Sequence, residues 1–278
     1  MRRLILNADD LGINEQRSHG ISMCHEQGIL TSASLIPNYS NSQKAGRNAR
    51  ERDLSTGLHL NITTGSPLSR NSDIHTLLTT DGYFLGRDGL ERVLQEKQVD
   101  LVQIERELRT QIEWFLDICG QPTHVDSHHH MHVHPAIAPI VISLLDRYAI
   151  SFIRIPSEPP LPFGYEIEPV QSAFIKHLSE RAESARKLFK AQGIGTTDNF
   201  RGLAFSGHAS KRNFRHIIGR LPEGTTELML HPGSPNPHAE PFDADPQRQT
   251  EMNVLLDTDV LKELAEREIT LCSWGDLF

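Results

Sequence analysis

The chain has 278 residues, 37% hydrophobic and 23% charged, which is the composition of a globular protein of one large domain or two ordinary ones. Its 28 basic and 36 acidic residues give a net charge of −8 with no basic block, which excludes the clustered cationic face that a nucleic-acid binder needs. The three cysteines, Cys24, Cys119 and Cys272, are scattered. With no signal-peptide core of roughly 7–15 apolar residues and no apolar run of about 18 to span or insert in a membrane, a cytoplasmic protein with free thiols is expected.

Short apolar runs alternate with longer amphipathic ones. Leu4, Ile5 and Leu6 open a strand that runs into Asn7, Asp9 and Asp10. Asn14 is a suitable N-cap for a helix to about Gln27, with Gly28 just past its end. Residues 30–37 and 55–63 read as the second and third strands. The stretch 65–98 is too long and polar for a simple crossover, and TTDGYFLG within it predicts a small hairpin or lid. Leu101, Ile104, Leu108, Ile112, Phe115 and Leu116 recur at helical spacing between a capping Asp100 and Gly120. The fourth strand is QPTHVDSHHH, followed by a helix from Pro135 to about Tyr148 and a fifth strand at 151–156. After a Pro-rich loop come a helix at 172–191, strands at 199–205 and 226–233, a helix at 259–268 and a last strand, ITLCSWGDL.

Seven or eight strand–helix repeats in a chain of this length predict an α/β fold, a (β/α) barrel or a doubly wound sheet, in a single domain. The polar residues that need explaining fall at strand ends: Asp9 and Asp10, His59, the run HVDSHHHMHVHP (124–135), Arg154, His231, and Trp274 with Asp276. In a parallel barrel the carboxyl ends of the strands share one mouth, where active sites are built.

Each of these residues also has an ordinary explanation. One aspartate of NADD could cap the next helix, and His59 could be a hydrogen-bonded structural histidine. Arg154 could pair with a surface carboxylate, Trp274 could be core, and His231 could be incidental to a Pro-Gly turn. The histidine run is harder to dismiss, because a solvated loop has no reason to choose imidazole. If 124–130 is extended, His124, Asp126, His128 and His130 share one face, with Val125, Ser127 and His129 on the other. That face suits a divalent ion such as Zn, Mn, Fe, Co or Mg with a carboxylate orienting an imidazole, although spacing does not say which histidine binds.

NADDLG (7–12), GLHLN (57–61), THVDSHHHMH (123–132) and LHPG (230–233) resemble the motifs of the YdjC-like carbohydrate deacetylases, which include chito-oligosaccharide and hopanoid-associated deacetylases. The resemblance implies a distorted (β/α) barrel of seven to eight parallel strands with a small insertion after strand three. It also implies removal of an N-acetyl group from an amino sugar or oligosaccharide, a small-molecule substrate. By motif, the metal ligands would be Asp10, His59 and His128, the general base Asp9 and the general acid His231. The resemblance favours Mg²⁺, with Zn²⁺ as the alternative. His124, Asp126, Arg154 and Trp274 are expected to support the site or touch substrate, Trp274 by stacking on a sugar ring. Leu11 stands where phenylalanine is common in the motif, which bears on packing more than on chemistry.

Other readings remain open from the residues alone: a metal-dependent amidohydrolase or phosphoesterase, a 2-His-1-carboxylate Fe(II) oxygenase, or a non-catalytic metal-binding or sensing protein. A homo-oligomer is compatible with the sequence.

Overall fold

The structure, a computed structural model, describes residues 1–160, 167–236 and 240–277. The centre of the Pro-rich loop expected after the fifth strand, residues 161–166, lies outside the described residues. The elements run β1 (Arg2–Leu11), α1 (Glu15–Glu26), β2 (Ser32–Leu35), α2 (Ser42–Glu51), β3 (Ser55–Leu60), α3 (Gly86–Gln95), α4 (Leu101–Cys119) and β4 (Val125–Ser127). They continue with α5 (Ala138–Arg147), α6 (Pro169–Ala191), β5 (Asn199–Arg201), α7 (Lys211–Ile218), β6 (Gly224–Leu230), α8 (Pro241–Ala244), α9 (Gln247–Leu255), α10 (Thr258–Glu266) and β7 (Ile269–Leu271).

Among the described residues the seven strands pair in parallel, in the order β4-β3-β2-β1-β6-β5, with β7 beside the first residues of β1. The sheet curls into a distorted barrel. The gap between β4 and β5 is spanned by Ser151–Arg154, which bonds to Val125 on one side and to Gly195 on the other. The expected fifth strand is therefore in place but reduced to isolated bridges, and Pro156 soon removes a backbone donor from any longer ladder. The sixth strand is shorter than its apolar pattern because Gly202, at φ 130°, turns the chain away.

Leu4, Leu6, Leu58, Val125, Leu228 and Leu230 from the sheet are 0% exposed and join Ile104, Leu108, Ile112 and Phe115 of α4 in one principal core. Asn14 caps α1 by accepting from Arg17 N, and Asp100 caps α4 by accepting from Val102 N, both at the expected positions. Helices α2 and α9 carry too few apolar residues to stand out by periodicity, and α7, although Phe214, Ile217 and Ile218 keep helical spacing, is only 8 residues long. In α2 the buried face is Ser42, Ala45, Gly46 and Ala49.

The insertion after β3 starts at an Asn61 turn, in which Oδ1 accepts from the N–H groups of Thr63 and Thr64. Glu107 of α4 accepts from Leu68 N and Ser69 N, and Gln103 accepts from Thr76 N, so the insertion is fastened to the barrel. The hairpin expected at TTDGYFLG is present as a Leu78–Phe84 antiparallel bridge, followed by α3.

The segment that follows β7 does not run to the barrel mouth. Trp274 N donates to Ser32 Oγ and Gly275 N to Ser55 Oγ, the first residues of β2 and β3. The turn Trp274–Leu277 therefore lies across the amino-terminal ends of those strands. Among the described residues no helix is long and apolar enough to cross a membrane, and the three cysteines are unpaired.

Candidate active site

A cleft of about 1120 Å³ opens at the carboxyl ends of β1, β3, β4 and β6, with Tyr83–Arg87 of the insertion and Glu240–Asp243 among its rim residues. Asp9 and Asp10 both line it. A regular strand would send these neighbours to opposite faces. The register of β1 against β2 slips between Ala8 and Leu11, however, and Asp10 adopts φ 65°, in the left-handed region. This bulge turns two consecutive carboxylates toward the same space.

Asp10 Oδ1 is buried, with His128 Nδ1 at 3.1 Å and His59 Nε2 at 3.4 Å, yet it accepts a hydrogen bond from neither. One donor atom from each of the three residues lies within 4.8 Å of the others. An unpartnered carboxylate oxygen facing two imidazole nitrogens, with no thiol nearby, has the chemistry of a divalent-ion site. Burial alone would raise the pKa of Asp10, but the imidazoles of His128 and His59 hold its carboxyl well below the usual range. Burial would likewise lower His59, but Asp126, Asp10 and Asp9 push it up to about 10. Such a pocket of negative charge favours a bound cation. The other ring nitrogen of His59, Nδ1, pairs with Asp126 Oδ1 at 2.8 Å, so the carboxylate fixes the ring with Nε2 toward Asp10.

Asp9, His59 and Asp126 also form a cluster, but its cation is already present. Arg154 is fully buried, and its guanidinium donates to both oxygens of Asp9 at 2.6 and 2.7 Å. It also lies 2.7 Å from Asp126 Oδ2 and donates to Glu227 Oε1 at 2.9 and 2.7 Å. One cation thus serves three carboxylates, and their protonation differs accordingly. Burial raises Asp9 despite Arg154. Against the same burial, Arg154 and His59 keep Asp126 ionised far below its usual range. Burial, with Asp126 and Asp9 adding repulsion, pushes Glu227 up to about 7.

Behind this layer, Ser34 Oγ donates to Asp126 Oδ2 at 2.8 Å and lies 3.1 Å from His124 Nε2. Burial drives His124 down to about 3, so its ring is neutral. Gly57 of GLHLN is required here, because a Cβ at that position would stand 2.3 Å from the His124 ring.

Two expectations are corrected. Trp274 is 0% exposed and its ring stacks on His124 with centroids 4.5 Å apart, so it packs under the site and cannot meet a sugar. Asp276, expected at the mouth, accepts from Ser273 N and Oγ in the turn at the opposite end of the barrel.

The alternation expected along the histidine run also fails, beyond Ser127. The strand ends there, and His129 and His130 take left-handed φ of 55° and 58°. His128 alone of the run approaches Asp10. The ring of His129 meets Thr63 Oγ1 at 3.0 Å, and His130 is buried edge-on against Phe200. His132 is pinned between Ser127 Oγ at 2.7 Å and the Arg154 carbonyl at 2.9 Å. Most of these histidines hold the loop that carries His128, and thereby the strand segment that carries Arg154.

His231 follows β6, lines the cleft and meets Phe242 edge-on at 5.0 Å. Burial, with Arg248 and Arg17 adding to it, holds its imidazole well below the ordinary value, while Asp10 pulls the other way. Ser34, Glu227, Arg17, Arg248 and Glu251 were not anticipated. Glu227, the one charged residue in the buried strand GTTELML, was the one visible signal among them; a serine in a small-residue strand gives none.

The family model described as YdjC-like protein matches residues 3–266. The chain is 32% identical to the human carbohydrate deacetylase over 99% of its own length and 91% of that protein's. It is 31% identical to the carbohydrate deacetylase of Geobacillus stearothermophilus, covering 100% of this chain and 98% of that one. The chitooligosaccharide deacetylase of Proteus mirabilis is 29% identical, over 99% and 98% of the two chains. In fold the chain is similar to a crystal structure from Enterococcus faecalis V583, provisionally described as a cellobiose-phosphate cleavage protein. The TM-score is 0.82 at 22% identity, covering 99% and 98% of the two chains. Four motifs in order, a parallel barrel and a family match over nearly the whole length lead to one conclusion: the chain belongs to the YdjC-like family.

Proposed function

We propose that this protein is a metal-dependent carbohydrate N-deacetylase, hydrolysing the N-acetyl group of an amino sugar or oligosaccharide to acetate and a free amine. The observation that carries this reading is the unpartnered Asp10 Oδ1 facing His59 and His128, in a cleft that Asp9 and His231 also line. The names of the curated relatives support the substrate class.

Asp10, His59 and His128 would hold one divalent ion, which when bound lowers the pKa of water and polarises the acetyl carbonyl. Asp9 takes the proton of the attacking water. Its bidentate pairing with Arg154 fixes the carboxylate, and its burial keeps it more basic than a free aspartate. The amide nitrogen cannot leave as an anion, so His231 protonates it as the C–N bond breaks. Burial favours the neutral imidazole before reaction, whereas negative charge developing on the acetyl oxygen adds to the pull of Asp10 when the proton is needed. Groups in such roles contribute ~10²–10⁴ each in rate.

The family resemblance favours Mg²⁺, whereas two imidazole ligands suit Zn²⁺, Co²⁺ or Mn²⁺. We place the protein in the cytoplasm on its scattered, unpaired cysteines. The test is acetate release from a panel of N-acetylated sugars by metal-stripped protein to which Mg²⁺, Zn²⁺, Mn²⁺, Co²⁺ or Fe²⁺ is restored, with oxygen uptake followed in parallel. Acetate release restored by an added ion supports the proposal; oxygen consumption with Fe²⁺ and no acetate would replace it with an oxygenase.

A further inference from the structure

His231 sits where the β6 ladder stops, and its peptide groups find no partner in the sheet. Both are taken up by charged side chains from two different helices. Arg17 of α1 donates through Nη1 to the His231 carbonyl at 2.6 Å, and Glu251 of α9 accepts the His231 N–H through Oε2. Arg17 and Glu251 are 2% and 1% exposed. Arg17 is in turn paired through Nη2 with Asp243, whose second oxygen accepts from Asn14 Nδ2 at 3.0 Å. Glu251 is paired with Arg248 Nη2 at 2.8 Å.

The loop is held tightly in other ways too. Gly233 N donates to the Arg248 carbonyl at 3.1 Å, and a Cβ on Gly20 of α1 would stand 2.6 Å from Gly233 Cα. Burying four charged groups is costly. Closing a barrel does not call for them, since apolar packing at the same place would serve stability better. The feature that Arg17 and Glu251 share is the two peptide groups of one residue.

We propose that Arg17 and Glu251 are positioning residues that grip the carbonyl and N–H of His231 and so aim its ring at the nitrogen that leaves. The inference rests on the reading of His231 as the acid. In the step concerned, the C–N bond breaks, its electron pair goes to nitrogen, and the His231 N–H proton moves to that nitrogen. A ring displaced by about 1 Å still binds nothing less tightly but transfers its proton poorly, so the loss falls on kcat.

The test is a double-mutant cycle on the metal-loaded enzyme with an N-acetylated sugar. E251A is expected to lower kcat by roughly 10–100-fold with KM little changed, and to lower it by less than about 3-fold when H231A is already present. E251Q retains an acceptor oxygen and restores most of the rate, and R17K, whose shorter side chain has one nitrogen in place of the two that bond the carbonyl and Asp243, behaves as E251A does. Metal content stays at one ion per chain throughout. An equal loss from E251A in both backgrounds would assign it a structural role and overturn the proposal, as would no loss in the wild-type background. Should E251A fail to fold, R17K with and without H231A is read by the same criteria. Wild-type kcat in H231A alone would reject the acid reading itself, a result that does not involve Glu251 or Arg17.

Discussion

Asp126 Oδ1 lies 2.8 Å from His59 Nδ1 and thereby decides which nitrogen of that ring faces Asp10. The same carboxylate meets Arg154 through its other oxygen. Asp126→Asn can present an acceptor to only one of them. Metal affinity, measured by competition with a chelating dye, is expected to fall 10–100-fold, the usual effect of losing a partner behind a ligating histidine. An unchanged dissociation constant would mean that the His59 orientation does not depend on this pair.

Replacing the residues that face the proposed ion should separate cleanly from replacing the acid. Asp10→Asn and His128→Ala are expected to abolish tight metal binding. His231→Ala keeps the ion and loses ~10²–10⁴ in kcat. Metal analysis of the purified variants checks the first outcome and steady-state kinetics the second. Loss of the ion from His231→Ala, with retention in Asp10→Asn, would reverse the assignments.

Two aromatic rings stand exposed on cleft-lining segments: Tyr83 on the insertion hairpin at 56% and Phe242 on α8 at 44%. Exposed rings at a cleft whose substrate is a sugar offer stacking surfaces. Tyr83→Ala is expected to raise KM for an oligosaccharide by roughly 5-fold, corresponding to about 1 kcal/mol, with kcat nearly unchanged. Identical KM values in variant and wild type would remove the insertion from substrate recognition.

Glu227 gives a stability prediction. Its folded pKa is about 7 against a usual carboxyl value of 4.5. Between these values the folded protein holds a proton that the unfolded chain has lost, so this group makes stability fall as pH rises from about 4.5 to 7. Glu227→Gln can still accept from Arg154 and cannot ionise. Relative to wild type it should gain stability over that window, by roughly 3 kcal/mol at most. Urea melts of both proteins at the two ends of the window provide the check; parallel pH profiles would mean that Glu227 ionises normally.

Much of the site was legible because strand ends in a parallel barrel converge, so Asp9, Asp10, His59, the histidine run and His231 could be grouped from the sequence; only the family resemblance singled out His128 within the run. Trp274 was misplaced by the same logic. A strand was expected to continue to the mouth, but β7 stops at Leu271 and the chain turns beneath β2 and β3. Alternation described Asp126 correctly and failed past Ser127, because two consecutive left-handed residues leave no local signature when both are histidine. The Arg154 cage was half visible: the arginine was noticed, but the carboxylates that share it come from three different strands, a relationship only closure of the sheet creates.

The left-handed backbone at Asp10 has a consequence for the folded state as a whole. Asp10 holds a φ that a residue with a side chain adopts only under strain, while the imidazoles of His59 and His128 offset the burial of its charge. Asp10→Gly should relieve the strain and lose that offset, so the two effects oppose one another in the stripped protein. Adding the ion should raise the melting point of the wild type alone. Thermal melts with and without chelator check this: an equal shift in Asp10→Gly would mean that the strained residue does not grip the ion.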